Sequence, residues 1–191
     1  MLATRNPHKL RELGDLIAPH ELDPLPAGLE LPPETGSSFA DNALIKARAA
    51  ADATGRPAIA DDSGIVVEAL GGGPGIRSAR YAGDDATDEE NLAKLLRDLN
   101  GETDRRAAYV CVLALVETSR PPELYEGRCT GVIVTAPRGS GGFGYDPAFL
   151  PDDRAPDDRR TMAELAPAEK DAISHRGRAA RALLEGVSVR A

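Results

Sequence analysis

Apolar positions along the chain change period several times, and each change marks an element. Leu10, Leu13, Leu16 and Ile17 recur at helical spacing behind Pro7, with Asn6 placed as a cap. The pattern predicts a first helix, preceded by a strand stub at Met1-Leu2-Ala3 and a polar turn from Thr4 to Lys9. The Pro- and Leu-rich stretch 21–31 predicts a short strand within loop. An alanine-rich helix is expected over 39–54, capped by Ser38. Ala43, Ala47 and Ala50 give that helix a close-packing face, while Asn42 and Lys46 share an adjoining one.

Pro57 to Ala60 is an apolar strand signal that runs straight into Asp61, Asp62 and a predicted turn at Ser63-Gly64, after which Ile65 to Val67 resumes as strand. The spacing of Leu92, Leu95, Leu96 and Leu99 predicts an amphipathic helix over 88–99, ended at Asn100-Gly101. Two long β-rich runs, 107–117 and 124–134, flank a Pro-containing turn and predict an antiparallel hairpin. The last segment, 167–187, reads as helical with a break at Ser174 or Gly177. The charge run 152–160 reads as a solvated surface loop.

At 191 residues the chain suits a single domain, and 41% hydrophobic with 28% charged residues is the composition of a soluble globular protein. With no apolar run of membrane-spanning length and no basic-then-apolar leader, a cytoplasmic protein without a membrane partner is expected. A net charge of -8 argues against a sequence-independent nucleic-acid binder. Cys111 and Cys129 lack metal-ligand spacing and are expected as buried free thiols.

That charge does not exclude a phosphorylated small ligand if cations gather in one place. Only four basic residues are Lys (Lys9, Lys46, Lys94 and Lys170), so positions that keep a compact ammonium stand out. The turn from Thr4 to Lys9 aims backbone N–H groups and a helix N-terminus at one point, which suits an anion. An ordinary capped turn with a solvated Lys9 would have the same pattern, and Asn42 and Lys46 would equally fit a solvated stripe. Adjacent carboxylates at Asp61 and Asp62 are costly at the end of a buried strand unless cations, donors or water receive them. Strand alternation sends them to opposite faces, so one is expected to work in a site and the other to support it. Glu34 and Asp62 could hold Mg²⁺, which commonly binds through one or two acids plus substrate phosphates. Phe143, between Gly142 and Gly144, could stack on a base. Together these are the parts of a nucleoside triphosphate enzyme.

The motifs recur in an order that closely resembles one family. Thr4-x-Asn6-x-x-Lys9 is followed by Glu34, Phe39, Asn42-Ala43 and Lys46-Ala47, then by Asp61-Asp62-Ser63-Gly64. Pro74-Gly75, Ser78-Ala79-Arg80-Tyr81 and Gly83, Gly142 to Pro147, and Glu169-Lys170 with Ser174-His175-Arg176 complete the set. The chain resembles the inosine/xanthosine triphosphate pyrophosphatases, the ITPase family. The resemblance implies an α/β fold with an elongated mixed β-sheet, flanking helices and two lobes around a central cleft. It implies Mg²⁺-dependent hydrolysis of deaminated purine triphosphates (ITP, dITP, XTP) to the monophosphate and pyrophosphate by a homodimer. On that resemblance Thr4, Asn6, Lys9 and Lys46 would hold phosphates, and Glu34 and Asp62 the metal, with Asp62 also acting on the attacking water. Phe143 would stack on the base, with Asp146, Lys170, Ser174, His175 and Arg176 at the base and ribose end. Ser63, Gly144 and Tyr145 would complete the substrate contacts. A pyrophosphatase for modified pyrimidine nucleotides and a nucleotide sensor without turnover are the competing readings.

Overall fold

A computed structural model describes residues 1–189 of the chain. Helix α1 (Pro7–Leu16) starts where Pro7 needs no N–H partner, and the Asn6 side chain accepts from the amides of His8 and Lys9. Helix α2 (Phe39–Thr54) is capped by Ser38 and stopped by Gly55 in the left-handed region. Strand β1 (Ala58–Val67) follows, then α3 (Asp88–Asp98), which opens on a capping box between Thr87 and Glu90. The predicted hairpin is β2 (Arg106–Val116) and β3 (Glu123–Ile133), and a short β4 (Phe149–Pro151) follows. The C-terminal segment is two helices, α4 (Pro167–Ile173) and α5 (His175–Ser188).

The strands form a four-stranded antiparallel sheet in the order β1-β2-β3-β4, and β4 pairs with β3 in the register Val132 to Leu150. After Arg106, β2 is buried at every position, so it reads as a near-continuous apolar run, whereas polar residues alternate along the half-buried β3. Leu2 adds parallel bridges to Ile59 and Pro24, so the strand stub is real but only a bridge long. The mixed sheet with flanking helices expected from the sequence is present.

The chain divides into two compact units. The first comprises Met1–Asp62, Cys111–Gly127 and the chain from His175 onward. Its core gathers Leu2, Leu13, Ile17, Leu113 and Leu183, and the free thiol Cys111 is buried among them. The second comprises Ser63–Val110 and Arg128–Ser174. Ile65, Leu95, Leu99, Ile133 and Met162 are in its core with the free thiol Cys129, and the Tyr109 and Phe149 rings meet at 4.7 Å.

Two local expectations are corrected, and a third is decided between its alternatives. Residues 21–31 supply only Pro24 as a bridge partner, since their prolines cannot donate to a ladder. The C-terminal break falls at Ser174, whose backbone is extended, and Gly177 is buried inside α5. Ser63-Gly64 is not a turn, because β1 runs unbroken from Ala58 to Val67. Gly64 is there for close approach: a Cβ on it would lie 2.4 Å from Ser78 Oγ and 2.5 Å from the Gly75 carbonyl. Ser78 uses the space to accept from the Ile65 amide at 2.9 Å and to donate to Gly75 O at 2.6 Å.

Two glycine substitutions should therefore change stability in opposite directions. Gly64→Ala must displace backbone and should lower unfolding free energy by about 1–3 kcal/mol. Gly14→Ala, inside α1 where a Cβ meets nothing within 4 Å, should raise it by up to about 1 kcal/mol through helix propensity. Urea midpoints of the two variants measure both.

Candidate active site

Within the first unit, β1, three helices and the loop before α2 bring charged side chains together. The β1 alternation separates Asp61 from Asp62, and each finds its own partners. Asp61, 1% exposed, takes the Lys9 ammonium from α1 at 2.9 Å and lies 3.8 Å from Arg176 Nε on α5. Arg176 in turn donates to Glu12 on α1 at 2.9 Å. Lys9 and Glu12 lie three residues apart on one face of α1, so a single helix supplies both ends of this chain of charges.

Asp62 faces α2. Asn42 Nδ2 donates to its Oδ2 at 3.1 Å, and Lys46 Nζ lies 3.9 Å from its Oδ1. The same Lys46 ammonium donates to Glu34 Oε1 at 2.5 Å. Asn42 also accepts from the Gly36 amide at 2.8 Å, which ties the loop carrying Glu34 to α2. Asn42 is fully buried and Lys46 only 8% exposed, so the solvated-stripe account of this helix face is excluded. Thr4 Oγ1 accepts from the Asn6 amide at 3.2 Å, which shapes the turn before α1.

Charge distribution distinguishes the two acids. Burial alone pushes Asp61 up, but Lys9, Arg176 and Lys46 outweigh it and hold the carboxyl well below the usual range. Burial also pushes Asp62 up; Lys46 pulls it back, and the Glu34 charge adds to the rise, so the net direction is upward. Lys46 is destabilised as a cation by burial, yet the charges of Asp61, Asp62 and Glu34 raise it overall. Asp61 is thus a committed anion, and Asp62 is an acid beside another acid.

That second arrangement fits a bound cation. Two carboxylates from separate segments already share one positive group, the Lys46 ammonium, and both offer hard oxygen donors. No cluster of three or more His, Cys, Asp or Glu suited to a metal exists among the described residues. An ion held by Glu34 and Asp62 would therefore complete its shell with water and ligand oxygens, as Mg²⁺ commonly does.

The second unit carries a different group. Gly142, at φ +71°, leaves room for Asp146, whose Oδ2 a Cβ there would meet at 2.0 Å. Asp146 Oδ2 accepts the Phe143 amide at 3.0 Å and the Lys170 ammonium at 2.9 Å. Lys170 Nζ also stands 5.2 Å from the Phe143 ring centroid, within cation–π range. Gly144 donates its amide to Asp88 at 2.8 Å, and the Tyr145 hydroxyl donates to Ser78 O at 2.7 Å. Ser174, buried, ends α4 with its amide on the Lys170 carbonyl.

Of the expected site residues, Thr4, Asn6, Lys9, Glu34, Lys46, Asp62, His175 and Arg176 belong to the first unit. Ser63, Phe143, Gly144, Tyr145, Asp146, Lys170 and Ser174 belong to the second. His175 is buried at the start of α5. Arg176, expected at a base, is engaged by Glu12 and Asp61 in the unit that carries Lys9. The sequence reading gave no role to Glu12, Asn42 or Asp88. Helical spacing from Lys9 and Lys46 was the available signal for the first two, whereas nothing local links Asp88 to Gly144.

A family model described as the Ham1 family matches residues 1–186. A protein of Frankia alni named dITP/XTP pyrophosphatase is 52% identical over 194 aligned residues, covering 96% of this chain and 94% of its own. One of the same name from Geobacillus kaustophilus is 50% identical, covering 94% of this chain and 89% of its own. The structure of a Ham1 protein from Coxiella burnetii superposes with a TM-score of 0.87 at 45% identity, covering 100% of this chain and 98% of that one.

The buried ion pair of Asp61 carries a pH signature. Its native pKa lies below the unfolded value, so its contribution is complete above the ordinary carboxylate range and declines as pH falls through it toward the native pKa. Asp61→Asn takes the buried carboxylate from Lys9 and leaves Arg176 to Glu12, and should cost about 3–5 kcal/mol near neutral pH. The gap between wild type and variant, read from urea unfolding at several pH values, should narrow below about pH 4.

Proposed function

The chain belongs to the Ham1 family, and on that premise we propose that it hydrolyses deaminated purine nucleoside triphosphates (ITP, dITP, XTP) to the monophosphate and pyrophosphate. The reaction would remove such nucleotides before they enter DNA or RNA. The observation that carries the proposal is Glu34 and Asp62 meeting at Lys46, an acid pair whose electrostatics favour an added positive charge. A sensor that only bound nucleotide would not need to bury Asp62 against a second acid. The relatives' shared name supplies the substrate class.

Each residue then has a physical task. The Thr4 to Lys9 turn and the α1 N-terminus receive phosphate oxygens, with Lys9 oriented by Asp61. Lys46 neutralises a further phosphate charge. Mg²⁺ is the cofactor proposed for Glu34 and Asp62, and it would supply an acidified water and charge neutralisation on the leaving pyrophosphate. Asp62, held through Oδ2 by the Asn42 amide, would orient the attacking water and accept its proton. Most of the barrier reduction is positional and electrostatic, because the attacked phosphorus is surrounded by negative oxygen.

The base end lies with Phe143, Gly144, Tyr145, Asp146, Lys170 and Ser174, together with Ser63, His175 and Arg176 as further substrate contacts. Phe143 offers a stacking face, and Lys170 has only donors. A C6 oxo group satisfies such a donor, whereas the C6 amine of adenine leaves it unpaired. The protein is further proposed to work as one ITPase-like domain in a cytoplasmic homodimer. No helix among the described residues is long and apolar enough to cross a membrane.

Pyrophosphate release from dITP, XTP, ITP, GTP, ATP and dTTP, with Mg²⁺ and with excess chelator, tests the proposal. Deaminated purines should dominate and the chelator should abolish release; tight dITP binding without product would select a sensor, and preference for dTTP a pyrimidine enzyme. Asp62→Asn should lower kcat by roughly 10²–10⁴-fold while nucleotide still binds. The loss of catalysis beyond any loss of folded protein should be smaller for Asp61→Asn.

A further inference from the structure

The run 152–160 is a largely exposed surface loop, as expected, but three of its residues, Arg154, Asp158 and Arg160, join an ionic network. Arg160 makes a two-pronged contact with Glu169, NH1 to Oε2 at 3.1 Å and NH2 to Oε1 at 2.8 Å. Arg154 reaches the same Oε1 at 3.2 Å. Asp158 ties the two arginines together, accepting from Arg154 Nε at 2.9 Å and Arg160 Nε at 3.1 Å. These donors and the Ala166 amide hold Glu169 far down, to about 2. Single exposed ion pairs contribute little, but a bidentate Arg–carboxylate contact inside a network is the exception.

Glu169 sits on α4, a helix of seven residues whose buried residue is Lys170. A helix this short is marginal by itself. Apart from the partly buried Ile173, it has no apolar face against the core of its unit. The next residue after Glu169 is Lys170, whose ammonium lies on Asp146, and Asp146 in turn holds the Phe143 amide. Contacts therefore run without a gap from Arg160 through Glu169 and Lys170 to Asp146 and Phe143.

We propose that Arg160, with Arg154, is a positioning residue for the purine end of the site: its clamp on Glu169 sets α4 and thereby holds Lys170 against Asp146 and Phe143. The proposal rests on the nucleotide reading above. Neither arginine touches substrate, and both act by fixing where the Lys170 ammonium stands. Arg160→Lys is not equivalent, because an ammonium cannot make the forked contact.

A double-mutant cycle tests it, using dITP turnover in Mg²⁺ by wild type, Arg160→Ala, Lys170→Ala and the double variant, with thermal melting and near-UV circular dichroism recorded for each. Arg160→Ala should raise KM for dITP roughly ten-fold, with kcat within about two-fold and the preference over ATP reduced. In the Lys170→Ala background the same substitution should change KM by less than about two-fold. Unchanged KM in Arg160→Ala, or equal effects in both backgrounds, overturns the proposal while leaving the nucleotide reading intact. If Arg160→Ala does not fold, Arg154→Ala, which removes one donor and leaves the bidentate contact, replaces it in the cycle with the same criteria. Absence of pyrophosphate release by wild type from any purine triphosphate defeats the nucleotide reading and this proposal with it.

Discussion

Two carboxylates on consecutive residues of a buried strand must be answered by positive charge or strong donors, or the strand cannot stay where it is. That requirement organises the first unit. Asp61 recruits Lys9 from α1 and Arg176 from α5, while Asp62 recruits Asn42 and Lys46 from α2. Three helices are thereby oriented by one dipeptide, and β1 runs through it without a turn. The alternation of the strand makes this possible, since each acid faces a different set of donors. Burial then amplifies the difference: cations dominate at Asp61 and depress its pKa, whereas Glu34 adds to the rise at Asp62.

The second unit solves its polar problem differently. Asp146 is a buried acid that satisfies a backbone amide and a lysine with the same oxygen, and the space for it exists because Gly142 has no Cβ. Around it, partly buried charges of Arg154, Asp158 and Arg160 gather on Glu169 of the short helix α4. Exposed networks are weaker than buried pairs and more sensitive to salt. The two units thus place comparable lysines, Lys46 and Lys170, under opposite regimes of support: one on a sixteen-residue helix with a buried alanine face, the other on a helix tethered by a surface network.

Many of the motif residues that carry the Ham1 resemblance are buried polar side chains. Asn42, Lys46, Asp61, Asp62, Ser78, Asp146, Lys170, Ser174, His175 and Arg176 are all among the buried polar residues of the chain. A buried polar side chain is retained against a hydrophobic alternative only where it has partners or a task. Partners are present for Asn42, Lys46, Asp61, Asp62, Asp146, Lys170 and Arg176, and the catalytic proposal builds on those contacts.

The sequence by itself determined the elements whose signals are local. Helix caps at Asn6, Ser38 and Thr87, the period of the leucines in α3, and the long hairpin all depend on residues within a few positions of one another. The separation of Asp61 from Asp62 by strand alternation was legible for the same reason, and so was the list of candidate site residues, through ordered motifs. Tertiary structure decided what those residues touch. Gly64 looked like a turn until Ser78, distant in sequence, occupied the space beside it. Arg176 lies on Glu12 and Asp61, and Arg160, from the largely exposed run 152–160, makes a forked contact with Glu169. Each depends on a partner outside its own element, and periodicity carries no information about which other segment will arrive. Local propensity sets the elements, but the pairing of buried charges is settled only when the fold brings their partners within a few ångströms.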